Sequence, residues 1–451
     1  MIETLRAQLA RPVPRYTSYP TAVQFRPGIT GTVYRRWLEE LDPAAEISLY
    51  LHVPFCKRLC HYCGCNTNIV ARYEPVADFL DSVEMELAHA ASALPDRLSY
   101  RHLHFGGGTP TILNPGDFQR LMQAIDRHFR RAIGAELAIE IDPRTLTAEM
   151  ANALTAAGIN RASLGVQDFD PGVQAAINRI QPFETVASSV DLLRARGIND
   201  INFDLIYGLP KQTLESFLET VERAASLAPS RLALFGYAHV PWMKRHQKVL
   251  EKHGLPDGAL REALSREASR RLCARGYVPV GLDHFARPED PLAKAALVGT
   301  LRRNFQGYTT DDSATLIAFG PSGISHLPQG YAQAEANVRH WHEAVRAGRF
   351  AIVRGVAVTG QDRLRADVIE ALMCRQAVDL QAIADRHRAG DARALFAREL
   401  EALRPFVDGG AVTRGGTRIA LTESGRLFLR PVAALFDEYL TPEAARHSRA
   451  V

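Results

Sequence analysis

Four of the six cysteines fall within ten residues, as Cys56, Cys60, Cys63 and Cys65 in "CKRLCHYCGC". Thiols packed this closely ligate metal, carry out redox chemistry or pair as disulfides. Structural zinc takes four ligands, commonly two C-x2-C pairs far apart in the chain, and this sequence holds no second pair. Cys56, Cys60 and Cys63, spaced C-x3-C-x2-C, instead suit a 4Fe-4S cluster, whose four irons ordinarily take four cysteines. Three ligands leave one iron open to bind something else. Cys65 is the rival for that place, but a single glycine separates it from Cys63, and two thiolates so close are awkward on one cubane. It is expected to pack under the loop or to touch substrate. Cys273 and Cys374 stand alone on apolar segments and are expected to be small buried core residues.

A loop of this kind needs a rigid support, and the flanking sequence supplies one. Between residues 46 and 239 six short β-rich runs alternate with amphipathic helical patterns: 46–55, 100–108, 136–143, 161–168, 200–208 and 231–239. Helical periodicity is clear over 76–90, 116–129 and 213–227. Strand–helix repeats of this kind imply a parallel sheet, so the fold class is α/β, with a partial (β/α)6 barrel. The polar and glycine-rich residues cluster after the strands, where such barrels build their sites. The cysteine loop follows strand one, "GGGTP" (106–110) ends strand two, and Glu140 with Asp142 ends strand three. Gln167, Asp204 to Gly208, and Tyr237 with His239 end the next three. Adjacent glycines let backbone approach a ligand closely.

Around this barrel, residues 1–35 form an arm, too rich in proline for a strand, whose "RYTSYPT" (15–21) is expected to fold back over the rim. The barrel occupies 36–290, and 291–360 is a loop-rich extension and connecting segment. From 361 to 451 the chain reads as a mostly helical domain with a β-hairpin at "GAVTRGGTRIALT" (410–422) and a last helix after it. This tail resembles a winged helix but shows no basic recognition stripe, which makes it a cap rather than a DNA reader. The formal net charge is only +4, so no nucleic-acid partner is expected. No run of about 18 apolar residues is present to span a membrane, and no secretory h-region opens the chain. The expected location is the cytoplasm, and the expected state a monomer.

An open iron at a barrel rim is what radical chemistry with S-adenosylmethionine requires. There the amine and carboxylate of the methionine chelate the iron, an electron cleaves a carbon–sulfur bond, and a 5′-deoxyadenosyl radical results. With Tyr62 just before the third cysteine, the loop resembles the radical-SAM signature, and "GGGTP" resembles the segment by which that superfamily holds the methionyl group. Longer stretches resemble one branch, the oxygen-independent coproporphyrinogen III dehydrogenases of haem biosynthesis. They are "PRYTSYPTAVQF" (14–25), "LYLHVPFCKRLCHYCGCNT" (49–67), "HFGGGTPT" (104–111), "EIDPR" (140–144), "LGVQDF" (164–169), "DLIYGLPKQT" (204–213), "GLDHFARPED" (281–290) and "RNFQGYTT" (303–310).

That resemblance implies an oxidoreductase that turns two propionates of coproporphyrinogen III into vinyls, giving protoporphyrinogen IX and two CO2. It implies a cluster on Cys56, Cys60 and Cys63 and two S-adenosylmethionines. The first would lie against Tyr50, Gly107, Glu140 and Ile324. The second would touch Tyr62, Gly108, Thr109, Gln167, Arg179, Asp204 and Ala238, with Gln306 in "NFQGY" facing the same pocket. A low-potential electron donor such as flavodoxin or ferredoxin is implied as partner. The propionates call for cationic donors, and Arg15, Arg144 and Arg302 are the candidates. Related haem chaperones share cluster and barrel, but generally lack the second cysteine of C-G-C and the RYTSYPT arm.

Overall fold

In the computed structural model, residues 5–9 and 12–440 are described. The ends of the expected arm and helical tail, at 1–4, 10–11 and 441–451, lie outside the described residues. Six strands run parallel in chain order: β1 (Glu46–Val53), β2 (Ser99–Gly107), β3 (Arg130–Ile141), β4 (Arg161–Gln167), β5 (Asp200–Tyr207) and β6 (Arg231–Gly236). They coincide with the six apolar runs, except that β3 begins six residues earlier than its run.

The helices cover the outer face: α1 (Gly31–Glu39), α2 (Glu74–Ala93), α3 (Pro115–His128), α4 (Ala148–Ala156), α5 (Phe183–Arg194), α6 (Leu214–Ser226) and α7 (Gly258–Ala274). Several starts are legible in the sequence. The Asn114 side chain accepts from Asp117 N ahead of a proline in α3, and Thr213 forms a reciprocal capping box with Ser216 in α6. Strand residues Leu49, Leu51, Phe105, Ile139, Leu164 and Phe203 point outward into the core, against Phe79, Val83, Phe118 and Leu121 of the helices. Their neighbours point inward and are polar: Ser48, Tyr50 and His52 on β1, His102 and His104 on β2, Glu136 and Glu140 on β3, Asn202 and Asp204 on β5. The period of two therefore separates an apolar shell from a hydrophilic barrel interior.

The segment 301–327, expected to be loop-rich, carries more strand than its composition announced. Strands β9 (Leu316–Phe319), β10 (Ile324–Leu327), β11 (Gly330–Ala334) and β12 (Ile352–Ala357) extend the sheet, together with β7 (Val278–Val280) and β8 (His284–Ala286). The result is one twelve-stranded sheet in the order β12, β11, β10, β9, β1, β2, β3, β4, β5, β6, β8, β7. β9 pairs parallel with β1, Tyr50 opposite Ala318. Strands of only four to six residues hide this from periodicity, and pairing with β1 fixes it. A two-stranded ribbon, Arg302–Asn304 with Gly307–Thr309, stands beside it.

The C-terminal unit opens with α9 (Gly360–Arg375, numbered after α8, Val338–Arg346) and continues in short helices. The expected hairpin forms as Val412–Gly415 with Arg418–Leu421, and Ala377–Asp379 adds a third strand. The expected last helix is broken into three pieces between Arg426 and Phe436, within which Pro431 lacks a backbone donor. Leu5, Tyr16 and Tyr19 of the arm join this unit's core. Tyr16 Oη donates to Asp437 at 3.0 Å, and Arg430 holds the carbonyl of Pro14 at 3.0 Å and that of Val13. Arg15 reaches the barrel, donating to the Gly236 carbonyl at 2.7 Å.

Cys374 is buried as expected, but Cys273 is exposed. The buried stripe of α7 is Leu264, Ala268 and Leu272, and Cys273 is one step of about 100° off it.

Candidate active site at the strand ends

The cysteine loop leaves β1 and is pinned to the end of β2. Gly108 N donates to Val53 O and Thr109 N to Phe55 O, both at 2.8 Å, and the Thr109 hydroxyl lies 3.3 Å from Cys56 Sγ. Glycine is required at two points here. A Cβ on Gly108 would sit 2.5 Å from the Phe55 carbonyl oxygen, and Gly107 has φ +112° with the His52 ring where its Cβ would go. Further along, His61 N donates to Ile177 O and Asn178 Nδ2 to Leu59 O. The loop's far side is held by Lys244, His246 and Gln247, on the carbonyls of Cys65, Cys63 and Tyr62 at 2.7, 2.9 and 2.9 Å.

Cations converge on Cys60. Arg179 Nη1 lies 3.6 Å and Arg144 Nη2 3.7 Å from its sulfur, and both guanidiniums flank Asp142. Arg179 also donates to the Gly165 carbonyl at 2.7 Å. Burial opposes the charge on Asp142, but the bond from Arg144 and the field of Arg179 hold its carboxyl below the usual range. Cys63 is pushed down to about 6, first by the hydrogen bond from the Cys65 thiol. The donor in that pair is pushed up. Cys56, half-buried and without a cation, is pushed up by desolvation to about 11.

All six cysteines are free, and among the described residues no three His, Cys, Asp or Glu converge on a single-ion site. A cubane spreads its ligands wider than one ion does, so three loop thiols beside two guanidiniums fit a 4Fe-4S cluster and not tetrahedral zinc.

Next to the loop a cavity of about 440 Å³ opens into the barrel. Tyr50, Gly107, Glu140, Asp204 and Ile324 line it, as do Gln306 and Cys65. Glu140 accepts from Gly107 N at 3.2 Å and lies 3.4 Å from His104, whose ring stacks on Tyr50. Burial, then the nearby Glu140, pushes Asp204 up to about 6, against bonds from Ser163 and Asn202. Thr109, Gln167 and Arg179 are buried beneath the cysteine loop and the end of β4, and Gln167 has φ +68°. Tyr62 packs with Val173, Ile177 and Tyr237, while Ala238 follows β6. Gly108 lies against Phe55, and none of these six residues lines this cavity.

Of the candidate arginines, Arg144 belongs to Asp142 and Cys60, and Arg302 pairs with Glu370 at 2.7 Å where both line the cavity beneath the arm. Only Arg15 remains by the rim. Sequence reasoning passed over Arg303, which lines a second cavity of about 520 Å³ beneath Tyr16 and Tyr19 of the arm. Its side chain is 5 % exposed, stacks on Tyr308 and faces Asp283 at 4.0 Å, and its Nε and Nη1 have no hydrogen-bond partner. Asn304, Phe305, Thr309 and Asp311 line both cavities. His52, His102, His104 and His284 were missed as well, although the alternation in "HLHF" was a signal that both β2 histidines face inward.

A parallel barrel with three cysteines after its first strand and a glycine ledge after its second defines the radical-SAM class. The family model described as Radical SAM superfamily matches residues 50–224, and that of the HemN C-terminal domain matches 358–428. The oxygen-independent coproporphyrinogen III oxidase of Bradyrhizobium diazoefficiens is 50% identical over 439 residues, 97% of each chain. The Escherichia coli K12 protein of the same name is 40% identical over 435 residues, 96% of this chain and 94% of its own. The solved coproporphyrinogen III oxidase (HemN) of Escherichia coli, described as a radical SAM enzyme, superposes with a TM-score of 0.90. It is 37% identical, over 95% of this chain and 100% of that one. The chain belongs to the family of oxygen-independent coproporphyrinogen III oxidases. A 4Fe-4S cluster and S-adenosylmethionine are the cofactors of its class. These relatives are named as oxidases, and none supports the haem-chaperone alternative.

Proposed function

We propose that the chain oxidatively decarboxylates two propionate side chains of coproporphyrinogen III to vinyl groups, yielding protoporphyrinogen IX and two CO2. The observation that carries this reading is the three-thiol loop opening beside one polar barrel cavity, in a chain matched along nearly its whole length by oxidases. The propionate β-carbon has no adjacent carbonyl, so a base at ordinary pKa cannot take its proton. When bound, the cluster with S-adenosylmethionine supplies a carbon radical that can remove that hydrogen atom.

The residues of this chain hold and shield the reactants. Cys56, Cys60 and Cys63 would ligate the cluster, with Arg179 and Arg144 offsetting charge at Cys60. Tyr50, Gly107, Glu140 and Ile324 would hold the first S-adenosylmethionine; a carboxylate at Glu140 suits ribose hydroxyls. The second would meet Tyr62, Gly108, Thr109, Gln167, Arg179, Asp204 and Ala238, with Gln306 nearby. Arg303 and Arg15 are the anchors proposed for substrate carboxylates, since a buried guanidinium with unused donors favours an anionic partner. The arm over the second cavity would exclude water and limit radical loss. Free thiols throughout fit a reducing compartment, here the cytoplasm, and no described helix is long and apolar enough to cross a membrane.

The test is an anaerobic assay with reductant, S-adenosylmethionine and coproporphyrinogen III, scored for protoporphyrinogen IX and 5′-deoxyadenosine. Both products are expected. Cofactor cleavage without a vinyl product would overturn the substrate assignment while sparing the class.

A further inference from the structure

The chain has only six lysines, and five of them, Lys57, Lys211, Lys244, Lys248 and Lys252, lie on the cysteine loop or beside it. Three sit within nine residues, on the turn and 3-10 helix that hold the loop's far side. The inner face of this segment binds loop carbonyls through Lys244, His246 and Gln247. Its outer face is exposed and carries Arg245, Lys248 and Lys252. Lys211 is also exposed, two residues beyond Leu209, which packs in one cluster with Leu250 of the segment and Tyr62 of the loop. Lys57 and Arg58 are exposed on the loop itself. The acid on the segment, Glu251, is engaged by His239 at 3.0 Å. Beside these cations stand Trp242 and Met243, 44 % and 68 % exposed, two of the larger apolar side chains left open to solvent.

A chain of net charge +4 thus concentrates basic groups on one face, with an aromatic and a methionine at its edge. That composition matches a docking surface for a protein of opposite charge, where charge steers the encounter and the apolar pair gives a contact point. The face lies one hydrogen bond from the backbone of two cluster-ligand candidates' loop, Cys63 and its neighbour Cys65. We propose that the surface formed by Trp242, Met243, Arg245, Lys248, Lys252 and Lys211 docks a small acidic one-electron carrier protein, which delivers its electron through the cysteine loop. One electron leaves the reduced carrier and enters the 4Fe-4S cluster; no bond forms or breaks and no proton moves in that step. Weak redox complexes need only small interfaces, and a patch of this extent provides one. The inference rests on the radical-SAM class and not on the identity of the substrate.

The test compares the wild-type holoenzyme with Lys248→Glu/Lys252→Glu, neither of which contacts the cysteine loop. S-adenosylmethionine cleavage is driven either by dithionite or by reduced flavodoxin, and flavodoxin binding is measured separately by calorimetry at two salt concentrations. The double variant should keep its dithionite-driven rate, while its KM and Kd for flavodoxin rise about tenfold, as reversal of two steering charges predicts. Wild-type binding should weaken with salt. Unchanged flavodoxin KM and Kd in the variant would overturn the proposal, as would failure of the wild type to bind flavodoxin or a 4Fe-4S ferredoxin at low salt. Absence of cleavage with dithionite in the wild type would count against the cluster assignment instead.

Discussion

Cys63 and Cys65 are separated by one glycine, yet their environments pull them in opposite directions. The Cys65 thiol donates to Cys63, favouring the thiolate there and holding its own proton, and its side chain opens toward the cavity. On this footing Cys63, and not Cys65, is the proposed ligand. Cys56→Ser, Cys60→Ser and Cys63→Ser should each yield colourless protein after anaerobic reconstitution with iron and sulfide. Cys65→Ser should keep the brown absorbance near ~400 nm of thiolate-bound iron. A colourless Cys65 variant would show that four cysteines are needed. Arg179 also acts at this scale: it joins Cys60, Asp142 and Gly165 and is itself buried. Arg179→Ala should cost about 3 kcal/mol in denaturant unfolding, because it leaves Asp142 short of a partner in a buried setting.

Elements decide whether those residues meet. The end of β2 and the start of the cysteine loop are joined backbone to backbone, so Gly108→Ala sets a methyl against the Phe55 carbonyl with no side chain free to yield. The variant should lose about 1–3 kcal/mol, and its iron content after reconstitution should fall further than its helicity. A second joint ties α2 to the far side of the sheet. There Glu86 accepts from Gly320 N at 2.7 Å, just after β9, and from the Trp341 indole of α8 at 3.0 Å. Burial pushes its carboxyl up to about 7 despite both bonds. The folded state therefore keeps a proton that the unfolded chain loses near pH 4.5, and stability falls as pH rises from there to about 7. Glu86→Gln removes this titration. Urea midpoints should show the wild type losing up to about 3 kcal/mol relative to the variant between pH 4.5 and pH 8. Parallel curves would show that Glu86 is ionised in the fold.

At the scale of the molecule, the arm fastens the C-terminal unit to the barrel. Tyr16 holds a left-handed backbone, φ +49°, a conformation costing a tyrosine about 1–2 kcal/mol, and its hydroxyl is bonded to the half-buried Asp437. Arg430 clamps the preceding carbonyls, and Arg15 reaches the end of β6. Tyr16→Phe should remove about 1–2 kcal/mol of this attachment. Limited proteolysis should then cut within the first 30 residues several-fold faster, with the barrel intact; an unchanged cleavage rate would mean that the apolar contacts of Tyr16 suffice.

Much of this was legible along the chain. The spacing of Cys56, Cys60 and Cys63, the glycines of β2, the six strand runs and the capped helices are local patterns, set by ligand geometry, by space at Cα and by periods of two and 3.6. So was the hairpin, from its Gly-Gly turn. What local pattern cannot carry is pairing between distant segments. Strands β9 to β12 became part of the sheet only through β1, and Cys273 faced solvent because α7 chose another stripe. Arg144 and Arg302 were spoken for by Asp142 and Glu370. Arg303 took its buried place only when the ribbon closed under the arm. Local pattern in the chain set out the closely spaced thiols and the scaffold that presents them. Folding set which donors stay unused: Arg144 and Arg302 hydrogen-bond Asp142 and Glu370, whereas Arg303, 4.0 Å from Asp283, keeps Nε and Nη1 without a hydrogen-bond partner because its carboxylate stands too far off to accept from them.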